Sequence, residues 1–224
     1  LSSACVRAGV KFIFNRDVQH LAPPPSPEAP WLADGISAWS VLLAAGGQSA
    51  PRLGSDGSGF ALARALGYDV VPPVPALTSL RTAETWPAAH SGLSLPDATI
   101  AVAGKRGASE QGELLFTHRG ISGPAVLNLS GRIARRLQEG ASVPIELDLV
   151  HAKPDFQGLR REAGARPIHP WLARGLPRAL AGTIMELAGI PADLTFSRLS
   201  AAQEKELTRH LAALPLTICG TGGF

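Results

Sequence analysis

The 224 residues carry 21 basic and 18 acidic side chains for a formal net charge of +3, and they are 45% hydrophobic and 17% charged. That apolar content can bury a core and excludes a disordered tail, and the near-neutral balance lacks the concentrated basic charge typical of nucleic-acid modules. Cys5 and Cys219, at opposite ends of the chain, exclude a disulfide scaffold; no apolar run approaches the roughly 20 residues that cross a bilayer. The expectation is a cytoplasmic protein without nucleic-acid or membrane partners, its oligomeric state left open.

In chain order, residues 1–8 read as the end of a helix stopped by Gly9. VKFIF (10–14) reads as a buried strand and DVQHL (17–21) as a second, shorter one. After a proline-rich loop, Asp34-Gly35 sits between apolar flanks as a two-residue hairpin turn. WSVLLAA (39–45) is a continuous apolar run that suits a strand covered on both faces, as in a parallel sheet. A glycine-rich loop follows, then a helix from about Gly57 to Gly67 with Phe60, Leu62, Ala63 and Leu66 available for burial. Strand, glycine loop and helix in that order are the α/β pattern.

Three prolines in VVPPVPAL (70–77) mark a boundary. Beyond it ALTSL (76–80), ATIAVAG (98–104), GELLF (112–116) and SVPIELDL (142–149) read as short strands. Between the last two lies one helix, with Val126, Leu129, Ile133 and Leu137 on one face and Arg132, Arg135 and Arg136 away from it. A solvated face is preferred for those arginines over an anion site. Residues 155–213 read as helical, with a stripe of Leu176, Leu180, Ile184 and Leu187, and a capping box at Ser200–Gln203 opening a helix with Leu207, Leu211 and Leu214. LTICG (216–220) returns to strand.

Candidate chemistry centres on the glycine loop. Gly46 and Gly47 would lie at the carboxyl edge of a sheet, where open α/β folds place ligands. Asp56 could cap the next helix; it would then occupy amide donors and repel a phosphate, so the loop divides evenly between a ligand site and a capped connection. Neither G-x-G-x-x-G nor a P-loop occurs, since Gly104-Lys105-Arg106 lacks the hydroxyl residue. Gly120-Ile121-Ser122-Gly123-Pro124 narrowly misses a nucleophile elbow, and Ser122 reads as a helix N-cap. The six histidines show no metal-ligand spacing; His118, beside the glycines of 120–123, is the one candidate for chemistry.

Taken together, GVKFIFNRDVQHL (9–21), VLLAAGGQSAPRLGSDGSGFALARALG (41–67), PVPALTSL (73–80) and GELLFTHRGISGPAVLNLSG (112–131) resemble the bacterial BaiN/aminoacetone-oxidase-like flavoproteins, whose FAD domain is of the glutathione-reductase type. The resemblance implies a mixed α/β and α+β fold: FAD-domain sequence over 1–75, a β-barrel-like insert over 76–152 and 215–224, and a helical insert over 153–214. It implies an FAD-dependent oxidoreductase acting on a small-molecule substrate, with NAD(P)H as a candidate electron donor and no catalytic side chain assigned. Carried over by position, Val18 would meet the adenine through its backbone, and Ala45, Gly46, Gly47 and Ser49 would lie along the cofactor. Gly120, Ser122 and Gly123 would face the flavin. The family pattern has Thr where Ala45 stands. The dinucleotide fingerprint expected before residue 1 and the FAD segment expected after Phe224 are not among these residues. The expectation is therefore the middle part of a longer protein, inactive and weak for FAD alone, with a substrate- or protein-binding module as the alternative.

Overall fold

A computed structural model describes residues 2–104, 107–140 and 142–224; Leu1 and the Lys105-Arg106 pair of the discounted P-loop lie outside them. The chain divides into two compact units, Leu1–Pro72 and Pro73–Phe224.

The first unit opens with helix α1 (Ser2–Arg7) and holds a three-stranded antiparallel sheet of β1 (Leu21–Ala22), β2 (Trp31–Ala33) and β3 (Ile36–Ala38). Asp34 and Gly35 have φ of 41° and 86°, the left-handed pair that a tight β2–β3 hairpin requires. The Asp34 carboxylate also fastens the preceding segment, accepting from Gln19 N at 2.6 Å and lying 3.2 Å from His20 Nδ1. The Gln19 amide is the main reason the Asp34 carboxyl is held below its ordinary pKa, with desolvation opposing it and His20 adding to it. Helix α2 (Ser58–Ala65) closes the unit, with Phe60, Leu62, Ala63 and Leu66 half-buried.

Three strands expected in this unit differ, as does 76–80 in the next, of which only Leu80 enters a strand. Residues 10–14 and 39–45 form no strand, and only the last residue of 17–21 enters β1. The apolar runs are present, yet among the described residues no neighbouring strand pairs with them, and a strand is defined by that pairing. Among the described residues of this unit no parallel sheet forms.

The second unit is a closed, wholly antiparallel barrel in the order β4-β7-β6-β5-β8-β9. Its strands are β4 (Leu80–Thr82), β5 (Ser94–Val102), β6 (Ser109–Thr117), β7 (Gly120–Ser122), β8 (Val143–Asp148) and β9 (Leu214–Thr221). Alternation along β8 and β9 sends Val143, Ile145 and Leu147, and Leu214, Leu216 and Ile218, inward. Helix α3 (Pro124–Gln138) lays Val126, Leu129 and Ile133 on the barrel and leaves Arg132, Arg135 and Arg136 exposed. Ser130 is buried on α3; its hydroxyl donates to Leu127 O at 2.7 Å and accepts from Thr78 N at 3.2 Å.

Four helices are inserted between β8 and β9: α4 (Phe156–Ala163), α5 (Ile168–Leu172), α6 (Arg178–Leu187) and α7 (Ala201–Ala212). Ser200 and Gln203 form the expected reciprocal capping box at the start of α7. Leu180 and Ile184 of α6 are fully buried, whereas Leu187, expected on the same stripe, is exposed near the end of its helix. Helices and barrel share one hydrophobic cluster that runs from Leu80 to Ile218. They are tied by Leu149 N donating to Leu211 O at 2.9 Å and by a 2.9 Å contact between His90 Nε2 and Thr183 Oγ1.

Candidate functional site

In the Leu1–Pro72 unit, Val18 and Ala45 line one cavity of about 250 Å³ together with Asp17, Leu21, Ala33 and the 41–44 run. The β1–β2 hairpin supplies one wall and the unpaired 41–45 segment another; Ser58 and Leu62 of α2 complete it. Asp17, whose carboxylate accepts from Gln19 Nε2, is a polar member that no sequence pattern singled out. The cavity falls short of the ~300–1,000 Å³ common for sites that enclose a whole drug-sized ligand. It suits one ring system of a larger molecule.

The glycine loop folds on itself beside this cavity. Gly57 N donates to Gly47 O at 2.9 Å, and Ala50 and Ser55 pair reciprocally through their backbones. Gly46 has φ of 78°, and a Cβ there would stand 2.6 Å from Ser55 Oγ, so tight loop closure explains that glycine without a ligand. A Cβ on Gly47 would meet nothing within 4 Å. Ser49 is exposed. Of these positions only Ala45 lines the cavity.

Asp56 accepts from Ser58 N at 3.0 Å, and that amide holds its carboxyl below the ordinary value. An ionised carboxylate therefore sits at the start of α2 and occupies one of its free donors. A phosphate directly on this helix end is disfavoured.

Gly120, Ser122 and Gly123 lie in the barrel unit, and barrel closure accounts for their composition. Gly120 and Ser122 are residues of β7, paired with Thr117 and Leu115. A Cβ on Gly120 would collide with Leu80 O, and one on Gly123 (φ 100°) would stand 2.6 Å from Glu113 O. Ser122 is not the expected N-cap: Gly123 holds that position, with no side-chain bond to the helix, and Pro124 opens α3. Strand pairing placed the serine one residue too early to cap. His118 is exposed. Among the described residues no three His, Cys, Asp or Glu side chains converge on a metal site, and no helix is long and apolar enough to cross a membrane.

A family model described as HI0933-like protein barrel and H2TH domain matches residues 74–224. The chain is 33% identical over 201 residues to a 3-dehydro-bile acid delta(4,6)-reductase of Clostridium scindens, covering 86% of this chain and 49% of that protein. It is 31% identical over 232 residues to a ribosomal RNA dihydrouridine synthase of Haemophilus influenzae, covering 100% and 56% of the two chains. A protein of that same description from Escherichia coli is 29% identical over 200 residues, covering 82% and 45%. The chain spans about half the length of the curated relatives it matches.

Proposed function

The chain belongs to the HI0933-like family, and from that premise we propose that it is the middle part of an FAD-dependent oxidoreductase. The observation that carries this reading is the 33% identity to a reductase over 86% of the chain. In this reading 1–75 is flavin-domain sequence, 76–152 with 215–224 the barrel insert and 153–214 the helical insert. The protein works in the cytoplasm on a small molecule, with NAD(P)H as electron donor.

The cavity between Val18 and Ala45 supports the cofactor assignment in size and lining: it holds about 250 Å³ and is walled mostly by apolar side chains, room for one ring system such as adenine. The Val18 backbone would orient the adenine and Ala45 would leave room beside it. Gly46, Gly47 and Ser49 would pass along the rest of the cofactor, and Gly120, Ser122 and Gly123 would face the flavin. Bound flavin supplies transfer of a hydride or an electron pair. This chain's contribution is to hold and orient it and to keep water from the apolar wall. Purified full-length protein is expected to be yellow and to release flavin on denaturation. Colourless protein that takes up no FAD on reconstitution would reject the reading.

A second reading has its own support in the two relatives named as ribosomal RNA dihydrouridine synthases. In it the reduced substrate is a base within RNA, and the expected lack of nucleic-acid partners is given up. Incubating the flavin-loaded protein and NAD(P)H with ribosomal RNA and with free uridine separates the two: reduction confined to the RNA favours the second.

A further inference from the structure

The helical insert contains a cavity that the flavin reading does not use. It measures about 350 Å³ and is walled by Trp171 and Phe196 with Arg166 and Arg174 at its edge. Trp171 stands edge-on to Phe196, with centroids 5.7 Å apart, and tilted to Phe156 at 6.3 Å. Its ring is thus fixed in place while remaining only half-buried.

The rim is equally well held. Gly164 O accepts from Ser197 N at 2.9 Å, Arg166 O from Phe196 N at 3.3 Å, and Leu194 O from Ile168 N at 2.9 Å. This clamp fixes the backbone on both sides of Arg166, and prolines 167 and 170 stiffen the same edge.

Charge on the rim is one-sided. Of the three ionisable side chains that line it, Arg166 and Arg174 are basic and Glu162 is acidic. Arg160 is engaged with Glu204 at 2.6 Å, but among the described residues no carboxylate lies within ion-pair distance of Arg166 or Arg174. Glu162, also on the rim, offsets one of those two charges and leaves the cavity net positive. Trp171 and Arg174 line a second, more apolar cavity of about 310 Å³ with Leu172, Leu176 and Leu211. A ring with a cation beside it, set between two adjoining cavities, matches a ligand in which flat rings alternate with anionic groups.

We propose that the Trp171–Arg166–Arg174 cavity binds a nucleotide, its base against Trp171 and its phosphate between the two arginines. The source is either a free mononucleotide or a residue of single-stranded RNA, whose bases stack on aromatic side chains and whose phosphates pair with arginine. The inference does not depend on flavin binding, and it fails or stands separately.

The test uses the whole 224-residue chain without flavin. Fluorescence anisotropy follows a dye-labelled oligouridine of about ten nucleotides, and tryptophan fluorescence follows UMP and AMP. The paired substitution Arg166→Gln/Arg174→Gln, at exposed positions, is expected to weaken binding about tenfold or more and to lower the salt slope by about 1.4. Arg132→Gln/Arg135→Gln on α3 is expected to leave both unchanged. Trp171→Leu, with its circular dichroism intact, is expected to cost about fivefold or more. RNA binding well above UMP identifies the strand as the ligand, and equal binding identifies the mononucleotide; either supports the cavity. No binding, equal loss from the α3 pair, or insensitivity to the Arg166/Arg174 pair overturns it.

Discussion

In the barrel, Ile100, Leu114 and Phe116 are sealed from solvent, whereas in the Leu1–Pro72 unit Phe14, Trp39 and Leu42 are 78%, 74% and 89% exposed. The two regions have similarly apolar runs, so hydrophobicity does not separate them. What separates them is backbone pairing. Every barrel strand has two hydrogen-bonded neighbours supplied by the same unit, and closure leaves no free edge. Residues 10–14 and 39–45 have side chains suited to a sheet but no partner strand among the described residues, and Phe14, Trp39 and Leu42 are the most exposed of their large apolar side chains. Phe12 and Phe14 stack on each other, with centroids 5.9 Å apart, a local contact that still leaves Phe14 largely exposed.

The contrast can be broken most directly at two phenylalanines. Phe116→Ala removes a ring that packs with Trp86 and His90 inside the barrel and is expected to cost about 3–5 kcal/mol in denaturant unfolding. Phe14→Ala is expected to change the same transition by no more than about 0.5 kcal/mol. Equal effects would erase the distinction between the regions.

A smaller effect sharpens it within the second unit. Ser200→Ala removes the cap that accepts from Gln203 N at 3.3 Å and is expected to cost about 1 kcal/mol. The loss should appear in thermal melting of the helices and barrel together, because they share one core. A separate helical transition would contradict that shared core.

The least of these effects is a pH dependence. Burial lowers the His90 pKa below 6.5, so the unfolded chain binds that proton more readily than the native one. The associated stability is fully present above about pH 6.5 and is lost as pH falls through the native value. A His90→Phe variant should flatten that part of the stability profile; an unchanged slope would show that His90 does not set it.

Much of the second unit was legible because its signals are local. The alternation of β8, the apolar face of α3 and the Ser200–Gln203 box each lie within one element. The Asp34-Gly35 turn was legible for the same reason. The 39–45 run was misread because a strand also needs a distant partner, which apolar composition does not specify. Ser122 was misread because its pairing with Leu115 outweighed its capping propensity. Val18 and Ala45 do meet at one cavity, but Asp17 beside them carried no distinguishing pattern. Arg166, Trp171 and Arg174 follow no recognised spacing; the backbone clamp between 164–168 and 194–197 brings them to one rim.

The central claim is that the cavity shared by Val18 and Ala45 receives one end of the cofactor. Its most direct test is the flavin content of the full-length protein carrying Val18→Trp, which fills that cavity with an indole, measured beside the unaltered protein. The predicted result is loss of bound flavin with an unchanged circular dichroism spectrum and barrel melting transition. Retention of flavin at the level of the unaltered protein would contradict the account.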